Sequence, residues 1–289
     1  MIFGMSFYQI CWFFIIYSFM GWVIEVAYHA VTLGKVENRG FLNGPICPVY
    51  GFGMLAVLII TYFIPVNPQT QQVNAALVFL VGMIFTTLIE LIAGWVLDKL
   101  FHARWWNYSS MPLNLNGYIC LAFSIIWGLS VMIAVKFVHP LIAKFSLAAI
   151  PPKFGWWILG ILYITLFIDL GVTTATVQGL NKKLKQIDLL REALRKPSDK
   201  MSETITESTI KITNKVEKAQ IQVALGKAEL KDSLEDYKKQ LETKYHELMA
   251  KKNFGLRRLL KAFPELIHHK YEDALLELKK YFDEHKKDK

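Results

Sequence analysis

Residues 75–97 read AALVFLVGMIFTTLIELIAGWVL, with Glu90 as the one charged side chain. A run of about 20 apolar residues is what a helix needs to cross a hydrocarbon core of ~30 Å. Four more such runs flank it: roughly 7–28, with Glu25 near its end; 46–64, stopping before Pro65; 117–138; and 154–177, which contains Asp169. The stretch 139–150 is apolar but too short to span. His139-Pro140 at its start and Pro151-Pro152 at its end predict an interfacial segment.

The whole chain agrees with this reading. It has 289 residues, 53% hydrophobic and 20% charged, with a mean hydropathy of +0.30; soluble domains carry about 25% charge. The net charge of +9 is uneven, because residues 178–289 hold 26 of the 33 Lys and Arg and 19 of the 24 acids. One soluble globule, a disulfide-rich module and a disordered chain are thereby excluded. Cys11, Cys47 and Cys120 lie in apolar stretches, and their odd number points to free thiols acting as small apolar residues. No Lys or Arg precedes the first apolar run and no small-x-small site follows it, so a retained helix is expected there. The expected fold is all-α: a polytopic membrane bundle of about five helices over 1–178, then a charged, coiled-coil-like helical tail over 179–289.

Lys35 and Arg39 mark the first loop, Lys99 and Arg104 the third, and Lys182, Lys183 and Lys185 the start of the tail, whereas 65–74 carries no charge. Positive charge stays inside. The N-terminus is therefore expected outside, with both loops and the tail cytoplasmic; Lys136, Lys144 and Lys153 run against this pattern.

Shifted by 73 residues, the chain resembles itself. Gly21-Trp22-Val23-Ile24-Glu25 falls on Gly94-Trp95-Val96-Leu97-Asp98, and His29-Ala30 on His102-Ala103. Leu42-Asn43-Gly44-Pro45-Ile46-Cys47 falls on Leu115-Asn116-Gly117-Tyr118-Ile119-Cys120, which makes ten identities in 27 positions. This predicts a duplication, about 12–54 and 85–127, with two helices in each half. An even number of crossings makes the halves parallel, related by an axis along the membrane normal.

The duplication selects candidate residues. Glu25 with His29, and Asp98 with His102, share helix faces at i and i+4. If the halves converge, these four supply donors for a divalent metal or a proton relay; the plainer alternative is two hydrogen-bonded couples capping their loops. Glu90 and Asp169 lie deeper. A carboxylate there costs ~2.5–3.5 kcal/mol unless it faces protein or water, so each is a proton or cation candidate, or else a carboxyl bonded to Thr86 and Thr87, or to Thr173. Asn43 and Asn116 are paired by the repeat. The glycines and prolines of 38–53 oppose a regular helix start, and such backbone must line a cavity or be buried in protein. Arg39 in this loop suits an anionic headgroup, or a pairing with Glu37 or Glu25. Trp105 reads as part of an interfacial aromatic belt.

Gly21-Trp22-x-x-Glu25, Asn38-Arg39-Gly40-Phe41-Leu42-x-Gly44-Pro45 and Pro48-x-Tyr50-Gly51 resemble the ABC-transporter type IV family of bacterial membrane proteins, also called the CmpB family. His102-x-Arg104-Trp105-Trp106-x-Tyr108-Ser109, Gly117-x-Ile119-Cys120 and Trp127-Gly128 resemble its second signature, with Asn107 where the family usually has Asp. The resemblance covers about 7–177. It implies a bacterial plasma-membrane protein and a transporter permease, with no catalytic residues established.

In the tail, Leu180, Leu184 and Ile187 extend the fifth helix until Pro197 is expected to break it. Leu230, Leu234, Tyr237 and Leu241, then Ile212, Val216, Ala219 and Val223, form heptad-like seams suited to self-association. Tyr271, Leu275, Leu278 and Phe282 make a last apolar stripe, and Pro264 another break. The basic, apolar stretch 251–261 suits an anionic lipid surface or a solvated helix. Acids interspersed with bases argue against nucleic acid. No G-x4-G-K-[ST] phosphate loop occurs, so ATP hydrolysis would need a separate subunit. The leading expectation is a permease. A membrane enzyme acting on a lipid-linked substrate and a scaffold recruiting partners through the tail are the alternatives.

Overall fold

Helix α1 (Phe7–Leu33) opens at a capping box, in which the Ser6 side chain accepts from the Gln9 N–H and the Gln9 side chain accepts from the Ser6 N–H. It closes at Gly34 in the left-handed conformation. In the computed structural model, residues 2–34, 36–66, 73–211, 235–251 and 254–285 are described. Helices α2 (Pro48–Thr61), α3 (Ala75–Phe101) and α4 (Leu121–Ile133) follow. A π turn over Ala134–Val138 leads into α5 (His139–Ala149), then α6 (Pro152–Lys211), α7 (235–250), α8 (Phe254–Ala262) and α9 (Glu272–Glu284). Short strands pair antiparallel, β1 (Ala103–Arg104) with β4 (Ile267–His268) and β2 (Asn114–Leu115) with β3 (Ile119–Cys120).

Two compact units result. The first is Met1–Gln178 with Phe254–His269, and the second is Gly179–Asn253 with Lys270–Lys289. The charged tail is thus not one separate body, since 254–269 packs with the membrane helices.

In the first unit α1 has two working faces. Trp12, Phe14 and Ile15 pack with Leu42 of the first loop and with Leu159 and Leu166 of α6. Phe13 and Tyr17 pack with Met54 and Leu58 of α2. Val57, Val78 and Val131 then tie α2 to α3 and α4. Small residues allow the closest approaches: a Cβ on Gly21 would overlap the Tyr50 side chain at its Cγ, and one on Gly94 would press on Tyr118 and Trp106.

Among the described residues, four helical stretches are long and apolar enough to cross a membrane: Phe7–Thr32, Ala75–Phe101, Leu121–Lys144 and Pro152–Leu194. The span expected over 46–64 is shorter. Pro48 sets the first turn of α2, and its 14 residues reach about 21 Å. The segment 139–150 is not a separate interfacial piece but continues α4. The π turn shifts the register, and Pro140 then falls in the first turn of α5, where its missing N–H is tolerated. Nor does Pro197 stop α6, which runs on to Lys211.

In the second unit, Lys183 donates to the carbonyls of Met249 (3.5 Å) and Lys251 (3.2 Å) and so caps α7. Tyr245 donates to Glu277 at 2.7 Å, and Arg191 pairs with Asp273 and Glu277. Burial pushes the Tyr245 phenol up to about 12, helped by Glu277. Leu275 and Leu278 of the last stripe are buried. Of the later seam, Leu241 is buried and Tyr237 is exposed. Leu230 and Leu234, and the seam from Ile212 to Val223, lie outside the described residues.

Candidate functional site

The first loop is held from two sides. Asn38 organises it locally: its Oδ1 accepts from the Gly40 N–H and from Trp22 Nε1, and its Nδ2 donates to the Asn43 carbonyl. Asp169 on α6 accepts from the Asn43 N–H (3.0 Å), the Asn43 side-chain amide (2.8 Å) and the Gly44 N–H (2.6 Å). Thr173 donates to it as well, at 3.2 Å. From the other side, the Arg258 guanidinium of α8 donates to the Gly40 carbonyl (2.8 Å), the Phe41 carbonyl (2.8 Å) and Asn43 Oδ1 (3.0 Å). Burial pulls the Arg258 value down while the Asp169 charge opposes that. Asp169 is therefore a backbone anchor, and the loop's unpaired amides and carbonyls end on one anion and one cation.

The basic stretch 251–261 is thus not a free lipid-facing helix. Leu256, Leu259 and Leu260 are buried in the first unit, and Lys261 lies 3.7 Å from Glu37. Beyond α8, β4 pairs with β1, and His269 bonds Asp98 at 2.6 Å. Asp98 also accepts from Tyr118 (2.5 Å) and lies 3.8 Å from Arg104. Phe41, Trp105 and Phe263 meet edge to face, so the first loop, the third loop and the 254–269 segment share one end of the bundle. Trp105 is only 3% exposed and belongs to this core rather than to an interfacial belt.

Above this plug lies a cavity of about 290 Å³, walled by α1, α2, α3, α4 and the two loops. Glu25, Glu90 and Arg39 line it. Glu25 accepts from the Tyr50 hydroxyl (2.7 Å) and lies 3.5 Å from Arg39. Glu90, 9% exposed, accepts from the Tyr108 hydroxyl (3.2 Å) and from Trp127 Nε1 (3.0 Å). Burial, and then the Glu90 charge, raise the Tyr108 phenol well above its usual value. Tyr50 and Trp127 meet edge to face at 5.5 Å, so one aromatic corner joins the donors to the two acids. Thr86 and Thr87 are not the partners of Glu90; Thr86 donates back to the Gly82 carbonyl.

The i,i+4 couples do not form. His29 is 2% exposed with neither ring nitrogen hydrogen-bonded, and His102 is an exposed left-handed cap of α3. Glu25 turns to Tyr50 and Arg39, and Asp98 turns to His269. Among the described residues no three His, Cys, Asp or Glu side chains are grouped as a metal would need, so Glu25, His29, Asp98 and His102 do not converge on one ion. Asn116 is exposed at φ 50°, unlike its repeat partner Asn43. Asn107 accepts from the Ser109 N–H and serves a turn. Sequence reasoning missed Arg258 and His269. Both lie in a stretch whose composition resembles a surface helix, and only the apolar spacing of Leu256, Leu259 and Leu260 hinted at burial.

No curated protein and no solved structure matches the chain significantly. Residues 12–174, which contain both loops, the cavity acids and Asp169, match one protein family. The chain belongs to the family described as Putative ABC-transporter type IV (CmpB).

Proposed function

We propose that this protein is the membrane permease of a transporter whose ATP hydrolysis is carried out by a separate subunit. The observation that carries the reading is the cavity inside the helix bundle, with Glu25 and Glu90 in its wall. Ionisable groups at membrane depth are costly and mark substrate or ion pathways, and binding sites of transporters lie between helix pairs near the midplane. The family description points the same way, and the chain carries no phosphate loop of its own. In this reading α1–α2 and α3–α4 are the two duplicated halves around the pathway. The protein resides in a bacterial plasma membrane, with the plugged end of the bundle cytoplasmic, and the bilayer is its permanent partner. The second unit is free to self-associate or to meet the ATPase.

Purification of the tagged protein from its native membrane in mild detergent, followed by mass spectrometry of what co-elutes, tests this. A stoichiometric subunit with a phosphate-binding loop, and nucleotide-driven solute movement in vesicles holding both, is the expected result. A folded preparation with no nucleotide-hydrolysing partner would overturn it.

A further inference from the structure

We infer that the cavity takes a small organic cation, an alkyl- or arylammonium, with Glu90 as its counter-ion and the Tyr50–Trp127 corner as its aromatic wall. The inference rests on the cavity being the substrate site. It goes further by fixing the ligand's charge and shape.

Three observations combine. The first is the charge balance of the wall. Glu25 is matched by Arg39 at 3.5 Å. Glu90 has only neutral donors, Tyr108 and Trp127, and no Lys or Arg pairs with it among the described residues. The Tyr108 O–H and the Trp127 N–H fix the carboxyl in place, and when it ionises no Lys or Arg among the described residues pairs with it to cancel the charge. A ligand cation is the group that cancels it. The second observation is the rest of the wall, which is aromatic: Tyr50, Trp105, Trp106, Tyr108 and Trp127 all line the space. Ring faces attract cations, Trp most strongly, and such cages are the usual receptors for quaternary ammonium groups. The third is size. About 290 Å³ is near the lower end of small-molecule sites, which suits an ammonium with one aryl group. An anion is disfavoured twice, by Glu90 and by the ring faces.

Full-length protein in dodecyl maltoside, a detergent without an ammonium group, is dialysed to equilibrium against benzyltrimethylammonium, the neutral benzyl methyl sulfone and the anionic phenylmethanesulfonate. The ammonium is expected to bind at one site per chain, at least about tenfold more tightly than the sulfone, with the sulfonate weakest. Glu90→Gln should lower the ammonium's affinity about tenfold and leave the sulfone's unchanged. Equal binding of all three ligands, no saturable ammonium binding, or an unchanged affinity in Glu90→Gln overturns the inference. If that variant does not fold, the ligand series on the unmodified protein decides alone. Ammonium binding without nucleotide-driven movement in vesicles would defeat the permease reading and leave this site standing. Movement of another solute with no ammonium binding would do the reverse.

Discussion

Asp169→Asn keeps the side chain's size and removes its charge. The carboxylate accepts four hydrogen bonds: two from Asn43, one from the Gly44 N–H at 2.6 Å and one from Thr173. An amide offers one acceptor atom. If its oxygen takes the place facing Asn43 and Thr173, its NH2 meets the Gly44 N–H donor to donor. If it is flipped, the Asn43 N–H and the Thr173 hydroxyl lose their acceptor, and the Asn43 side-chain amide keeps only Thr173. Either way one or two half-buried donors are left unsatisfied, at ~1–3 kcal/mol each, and the remaining bonds lose their charge assistance. Arg258 still grips the far side of the loop, so the loop loosens rather than leaves. A total of ~2–4 kcal/mol follows, and at ~2–4 °C per kcal/mol the melting midpoint falls by roughly 4–16 °C. Heating aliquots in maltoside and measuring the surviving monodisperse peak by size-exclusion chromatography reads this directly, with exposed Glu235→Gln as a control. A midpoint within about 2 °C of the unmodified protein would refute the assignment of Asp169 as the loop's anchor.

Arg258→Ala should cost about as much, because the Gly40 and Phe41 carbonyls lose their donors, and Arg258→Lys should recover only part, since an ammonium lacks the planar fork; the same melting series checks both. Gly21→Val should push the Tyr50 ring off α1 and destabilise by ~1–3 kcal/mol through overpacking, again read as a lower midpoint. His269→Ala should weaken the β1–β4 clasp by removing the Asp98 partner, so limited trypsin digestion should cut near Lys261 faster than in the unmodified protein; an unchanged cleavage rate would show that the clasp does not depend on this pair.

The membrane helices were legible because lipid imposes a length and a composition, which the runs around 7–28, 75–97 and 154–177 satisfy. The failures have a common cause. Pro140 and Pro197 predict local breaks, yet a π turn absorbs the first and α6 continues through the second. Glu25 with His29 and Asp98 with His102 were read as couples from i,i+4 spacing alone. Tyr50 and Tyr118 reach the acids from the far side of their loops and win. The depth of Glu90 and Asp169 was readable, but not their partners: Trp127 and Asn43 arrive by tertiary contact, and no spacing along the chain encodes them. Arg258 was hidden for the opposite reason. Its neighbours look like a solvated basic helix, and a guanidinium aimed at three backbone and amide oxygens leaves no periodic trace.

The grip of Arg258 and His269 on the first and third loops has a consequence for the order of synthesis. Both loops emerge well before the residues that clamp them: Arg258 follows Gly40 by 218 residues, and His269 follows Asp98 by 171. Until then the Gly40 and Phe41 carbonyls lack the donors that hold them in the finished protein. Shortening the chain anywhere before residue 254 therefore removes part of the membrane unit itself. Loss of activity on cutting the C-terminal region back to residue 178 would report an unfinished bundle before it reported a missing partner.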